Sequence, residues 1–466
     1  MNDNITSQNG GKFKRPEIII EQVYLDDNKL PIYYDLKDIK FDLTKYNLEP
    51  QFREDIAYPK FSLGFQHWIH ASKNKSYKFL KFEGKKHVYN IVNSYEKNID
   101  NYENSIENNE LFKNKETIIS NDVFALWEII FYYELININN KNFKSASFTQ
   151  NYGFSTQTIM YFRELFCDSK NDEYNIINEN QENNYENNDE KKIQHNLEEE
   201  FYKKNSKKIT LNKKIDNIDL IISECGKQWN LENIQEQQSA YIIYESIVKA
   251  INSQKKGGSF VLKMYELYTD LSIKFLMILK YFYDDVSIIK PLISRNFNSD
   301  KYIVCRNFNN KKIPLSMVSI KETNKFLFNI FPDLKIDELL YKDITQYNCI
   351  IGNSQFKTIN KMIEYLDGSN YHGELYTNYK DRQIRLSEYW INIFLNKDYK
   401  HILTNTNKLL KKDEPKKLKR QTKSKKASKK TSKKASKKAS KKASKKASNK
   451  KASNKKASKK TSNKKE

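Results

Sequence analysis

Between Asp219 and Asn307, three apolar runs of strand length alternate with two segments of helical periodicity. The runs are Leu220–Ser223, Phe260–Tyr265 and Tyr302–Cys305, and the helical patterns cover Gln235–Ser253 and Thr269–Tyr283. Strands this continuously apolar are buried on both faces, so the block predicts an α/β sheet with helices on both sides. One residue breaks the pattern. Lys263 sits among Phe260, Val261, Leu262 and Met264. An unpaired lysine is costly to bury, so it either serves chemistry or snorkels from a strand end.

The words DLIISECG, NLENIQEQQ, KKGGSFVLK, SIIKPLISR and NSDKYIVCRNF resemble the FtsJ-type RNA 2′-O-methyltransferases, in the divergent form carried by large cytoplasmic DNA viruses. FSLGFQHWIH, KFEGKKHVYNIVN, NCIIGNSQFKTINKMIEYL and LSEYWINIFL extend the resemblance over roughly residues 58–395. It implies a Rossmann-like methyltransferase sheet, S-adenosylmethionine as cofactor and RNA as substrate. It also implies an antiparallel edge hairpin, here Ser287–Leu292 with Lys301–Phe308, joined by a turn carrying Arg295 and Asp300. The chemistry is methyl transfer to a ribose 2′-hydroxyl by a Lys-Asp-Lys-Glu tetrad. The central lysine lies beside the hydroxyl, and a second cation depresses its pKa so that the proton can leave.

By that resemblance Lys263 is the central lysine, Glu224 stands for the aspartate and Asp300 for the glutamate. The first lysine belongs to a Ser-Arg-Ala-aromatic-aromatic-Lys-Leu-x-Glu-Ile helix. It falls on Ala125 in SNDVFALWEI, which supplies no cation. Of the Gly-Pro-Gly-Gly-Phe-like cofactor loop, only Gly153 and Phe154 persist, with Asn151 and Tyr152 where small residues belong. Such loops use glycine because backbone must approach the ligand closely. No acid is singled out for the cofactor ribose, and Asp172, Glu173 and Asp189 are the candidates. The segment 168–208 is Asn/Glu/Lys-rich, which predicts a disordered insert and a truncated cofactor edge to the sheet. Two function classes therefore stand open. One is a methyltransferase with an altered site. The other is a non-catalytic RNA-binding or capping-complex subunit.

The remaining chain divides by composition. Residues 1–15 read as disordered, 16–102 as an α+β module in which HVYNIVNSY alternates like a strand, and 103–314 as the methyltransferase-like domain. Within it, Asn121–Leu135 reads as a helix entered through Ser120, and Lys144–Thr149 as a strand. Residues 315–407 read as a helical module, with helices over Lys357–Leu366 and Ser387–Leu395. Its aromatic-basic run NYHGELYTNYKDRQIR suits either packing or stacking on single-stranded RNA.

Formal net charge is +24, yet residues 411–466 hold 27 Lys/Arg against 3 acids, leaving the body neutral. That tail repeats KKAS and KKTS and reads as an extended, disordered polycation, suited either to binding RNA or DNA phosphates without reading sequence or to a solubilising low-complexity extension. Four dispersed cysteines with no CxxC pair suit a reducing interior and no metal site. No run of 18 uncharged apolar residues suggests a membrane span. The resemblance implies a cytoplasmic setting, viral factory or virion, and the lysine-rich tail is also compatible with a nuclear one.

Overall fold

A computed structural model describes residues 32–77, 81–82, 86–99, 102–112, 115, 117–149, 153–178, 189–211, 214–225, 234–311, 319–321, 323–367 and 373–395. The basic tail, the N-terminal fifteen residues, Asn151 and Tyr152 lie outside them. In chain order the elements begin with β1 (Ile32–Asp35), β2 (Gln51–Arg53), α1 (Leu63–Tyr77), β3 (Lys81–Phe82), β4 (Lys86–His87) and α2 (Val88–Val92). Then come α3 (Asp122–Tyr132), β5 (Lys144–Thr149), α4 (Phe154–Phe166), β6 (Glu173–Asn178), α5 (Asp189–Asn205), β7 (Ile209–Leu211) and β8 (Ile218–Ser223). The chain continues through α6 (Gln235–Ser253), β9 (Gln254–Met264), α7 (Asp270–Phe282), β10 (Tyr283–Lys290), β11 (Lys301–Phe308), β12 (Phe326–Asn329), α8 (Glu338–Asp367) and α9 (Glu374–Phe394).

Eight strands make one mixed sheet in the order β1-β10-β11-β9-β8-β5-β6-β7. Strands β5 to β9 run parallel, and β9, β11, β10 and β1 pair antiparallel. From β5 the chain winds first towards β6 and β7, then returns through β8 to β9. This is a doubly wound α/β sheet whose switch point lies between the carboxyl ends of β5 and β8. The expected hairpin is present, but β1 covers its outer strand, pairing Ile32 with Lys290.

Alternation along the strands divides the sheet's two faces. Ile221, Phe260, Leu262 and Ile303 share a core with Ile243 and Ile247 of α6 and Leu276 and Leu279 of α7. On the other face Thr156 of α4 bonds Ser147 of β5 at 2.9 Å, and Trp127 of α3 meets Phe162 of α4 at 5.1 Å. Leu36 and Leu43 near the N-terminus, and Leu340, Ile344 and Ile351 of α8, join the α6–α7 core. No helix among the described residues is long and apolar enough to cross a membrane.

Two expectations need correction. The Asn-rich segment 168–208 does not leave the sheet truncated. It builds β6, with Tyr174 and Ile176 buried, and α5, which buries Phe201 and carries the pairs Glu199–Lys203 and Glu200–Lys204 at 2.8 and 2.7 Å. A few apolar residues at the right register suffice when a neighbouring strand and helix already offer the complementary face. Residues 179–188 of the segment lie outside the described part. Likewise HVYNIVNSY is not a strand beyond His87, because Val88, Ile91 and Val92 lie one turn apart and α2 buries all three. In the aromatic-basic run, Gln383 of α9 donates to the carbonyls of Asn90, Ile91 and Asn93, and Tyr379 packs on Tyr365 at 5.9 Å.

Candidate active site

Lys263 stands one residue before the end of β9, on the α3–α4 face. Its register partner is Tyr302 of β11, whose ring lies 5.9 Å from the ammonium, with Phe154 on another side at 5.7 Å. The ammonium donates to Asp122 Oδ2 at 2.7 Å, and both side chains are partly buried. Burial opposes charge on Lys263, but Asp122, and more weakly Asp300, outweigh it and hold the amine well above its ordinary pKa. Ala125 follows Asp122 by three residues on the same face of α3. Where the resemblance implies a second cation pushing the lysine down, the helix presents an anion that pushes it up.

Lys263, Asp122, Ala125, Arg295, Asn298 and Asp300 line a cavity of about 190 Å³. Its outer wall is the β10–β11 connection, and three buried charges fix that wall. Glu128 of α3 accepts the Leu292 N–H at 2.7 Å and the indole N–H of Trp390 at 3.2 Å. Glu96 receives Arg295 through Nε at 3.0 Å and Nη2 at 3.1 Å, while the guanidinium lies 4.7 Å over the Tyr89 ring. Lys290 wraps the turn before β11, donating to the carbonyls of Asn298 and Asp300 and to Asp300 Oδ1 at 3.1 Å. Burial opposes charge on Asp300, yet Lys290 and then Lys263 keep its carboxyl below the usual range. Asn121 at the mouth donates to Glu96 Oε2 at 3.2 Å, while its buried Oδ1 accepts no hydrogen bond from the described residues.

Glu224 does not line this cavity. The carboxylate sits at the start of α4. There Oε1 accepts from the Ser155 N–H at 2.9 Å and hydroxyl at 2.5 Å, and Oε2 from the Thr149 hydroxyl at 3.0 Å. Burial pushes the Glu224 carboxyl up, and these hydrogen bonds partly offset that. Gly153 precedes α4 at φ +65°, and a Cβ built there would collide with the carboxylate. Phe154 is buried. The two residues nominated for the cofactor therefore face Glu224 and Lys263, and the cradle they would form is filled by the chain itself. The described residues do not fit the methionine end of S-adenosylmethionine.

Two of the ribose candidates lie at the wrong end of the sheet. Asp172 precedes β6 and pairs with Arg163 at 2.7 Å, and Glu173 opens β6 and pairs with Lys144 at 2.9 Å. Both stand at the amino edge, whereas ligands of such sheets bind at the carboxyl edge. Asp189 opens α5, beyond the carboxyl end of β6.

Sequence reasoning brought Lys263 and Asp300 to one cavity and missed the residues that set their state. Asp122 left a signal, since its three-residue spacing from Ala125 put an acid on that face. Lys290 left another, ending the apolar strand YDDVSIIK just as Lys263 interrupts its own. Glu96 and Glu128 left none.

Residues 164–308 match the profile of a family described as FtsJ-like methyltransferase. Among curated proteins, a cap-specific mRNA (nucleoside-2′-O-)-methyltransferase 1 of Trypanosoma cruzi is 27% identical over 165 residues, covering 33% of this chain and 45% of that protein. Its namesake in Bos taurus is 27% identical over 30% of this chain and 15% of its own length. In Trypanosoma brucei the figures are 32%, 20% and 26%. The chain thus spans less than half the length of these relatives. Human methyltransferase-like protein 13 in complex with SAH aligns with 51% of this chain and 90% of its own at 10% identity and a TM-score of 0.23. The fold assignment rests on strand order instead. The chain thus carries an FtsJ-like methyltransferase region, distantly related to cap-specific mRNA 2′-O-methyltransferases, and S-adenosylmethionine is the cofactor that family suggests.

Proposed function

We propose that this protein binds RNA through a methyltransferase-derived cavity and has weakened or lost 2′-O-methyl transfer. It acts as a non-catalytic RNA-binding subunit, with a capping-complex protein as the class of partner. The observation that carries this is the 2.7 Å pair between Lys263 and Asp122, on a helix face where Ala125 offers no cation. A lysine aids removal of a hydroxyl proton only if its own pKa comes down towards the working pH. Asp122 does the opposite. The cavity nevertheless retains donors in Lys263, Arg295 and Asn298 and acceptors in Asp122 and Asp300, a set suited to a ribose and its neighbouring groups.

The second reading is a working cap or structured-RNA methyltransferase. The names of the relatives and the shared cavity of Lys263 and Asp300 favour it. The test is methyl transfer from labelled S-adenosylmethionine to capped and uncapped RNA, run beside RNA binding. The expected result is binding without transfer above background. Transfer that disappears in Lys263→Ala while the protein stays folded would establish the second reading instead.

A further inference from the structure

We propose that Glu224 is a built-in occupant of the cofactor side of the sheet. Its carboxylate takes the seat at the start of α4 that a carboxylate-bearing cofactor would need. The inference rests on the non-catalytic reading above and names the device that keeps the cofactor out.

The seat is a general one. The first N–H groups of a helix have no partner within it, and their summed dipole favours an anion. At the switch point of a doubly wound sheet this end of the first helix normally faces the ligand. Here the Ser155 N–H among them is already engaged. Both carboxylate oxygens of Glu224 are bonded, to the Ser155 N–H and hydroxyl and to the Thr149 hydroxyl. The carboxylate lies against Gly153, in the space where a Cβ would stand. The resemblance puts an aspartate at this position, and the additional methylene of glutamate is what lets the carboxylate reach α4. Its backbone is held as well. The Glu224 N–H bonds the Phe148 carbonyl at 3.1 Å, extending the β5–β8 pairing by one residue. The next residue, Cys225, is buried at φ +43°, a left-handed conformation that costs a non-glycine residue about 1 kcal/mol. The Glu224 side chain is directed at α4. A ligand carboxylate entering here would meet a buried acid and find no free donor among Thr149 and Ser155.

The test uses the full-length protein and S-adenosylhomocysteine, which carries the same amino-acid end and is not consumed. Calorimetric titration of the wild type is expected to give no saturation up to about 1 mM. Glu224→Asp retracts the carboxylate by one methylene and keeps its charge, and Glu224→Ala removes it. At least one of the two is expected to bind S-adenosylhomocysteine about tenfold or more tighter than the wild type. Glu224→Asp guards against a folding failure in Glu224→Ala, and circular dichroism checks both. Failure of both folded variants to gain affinity overturns the proposal. So does a wild-type dissociation constant at or below about 10 μM. Wild-type binding without methyl transfer overturns this proposal and leaves the functional reading intact, whereas wild-type methyl transfer overturns that reading as well.

Discussion

Replacing Arg163 with methionine removes one half of an ion pair that is wholly out of water. Arg163 on α4 meets Asp172 through two parallel bonds, Nε to Oδ2 and Nη2 to Oδ1, each 2.7 Å, with neither side chain exposed. Nη2 also reaches the carbonyls of Asn140 at 2.7 Å and Asp168 at 3.1 Å, and the guanidinium lies 4.8 Å over the Phe143 ring. One side chain thus ties α4, the loop before β5 and the entry to β6. Methionine fills similar space but leaves Asp172 buried with the Tyr174 hydroxyl at 2.9 Å and the Phe143 N–H at 3.4 Å. Breaking a buried pair from one side costs about 3–5 kcal/mol, and the orphaned carbonyls place this case towards the upper end. With a urea m-value of about 3 kcal/mol per molar, the unfolding midpoint falls by about 1 to 1.7 M. Hydrogen exchange within β6 should accelerate first, because that strand loses its anchor. Arg163→Met/Asp172→Leu removes both charges and should recover much of the loss, since an apolar replacement of a buried pair is often neutral. A midpoint shift below about 0.3 M for Arg163→Met, or a double variant as unstable as the two single losses added, would refute the electrostatic account.

Two further outcomes are expected. Burial, aided by the neighbouring Glu266, raises the Glu236 carboxyl from 4.5 to about 7 despite hydrogen bonds from Thr269 and Ser272. The folded state therefore holds a proton that the unfolded state has lost between those values. This contribution to stability is full below pH 4.5 and falls by about 3 kcal/mol as pH rises through 7. Glu236→Gln should flatten that part of the stability profile, measured by urea unfolding between pH 4.5 and 7.5, and an unchanged slope would contradict the assignment. Removing residues 411–466 should strip the net charge of +24 and most of the salt-dependent affinity for RNA and DNA. Each phosphate that the truncated protein no longer neutralises reduces the log–log salt slope by about 0.9 on duplex DNA or 0.7 on single strands. Filter binding over a salt series reads this directly, and an unchanged slope would assign phosphate binding to the body.

The sheet was legible in the sequence where apolar runs were long and continuous. Gln235–Ser253 and Lys301–Phe308 form the elements their patterns predict, with the same boundaries, whereas the strand at Lys144–Thr149 is only poorly marked, with Ala146 and Phe148 its apolar residues. Periodicity carries that information because the alternation of faces is local to the element. Composition misled at 168–208, where Asn and Glu outnumber apolar residues, yet Tyr174, Ile176 and Phe201 are buried. A strand needs only one well-placed face when its neighbours supply the other, and average composition does not register placement. Ser120 illustrates a smaller displacement. Its hydroxyl accepts the Asp122 N–H at 3.1 Å, although the cap position itself falls on Asn121.

The candidate site divided along the same line. Strand pattern alone put a lysine at the end of β9 and an aspartate before β11, positions that the pairing of these strands brings together. It could not determine what those groups would pair with. Lys263 and Asp122 are 141 residues apart and meet only because α3 packs over the carboxyl end of β9. Glu224, expected with them, lies outside their cavity and turns to the Ser155 N–H and hydroxyl at the start of α4, because its longer arm reaches an anion seat created by the helix end. Which charges meet depends on distances between elements remote in the chain. A difference of one methylene or one helical turn redirects a charge, and only the packed tertiary structure sets those distances.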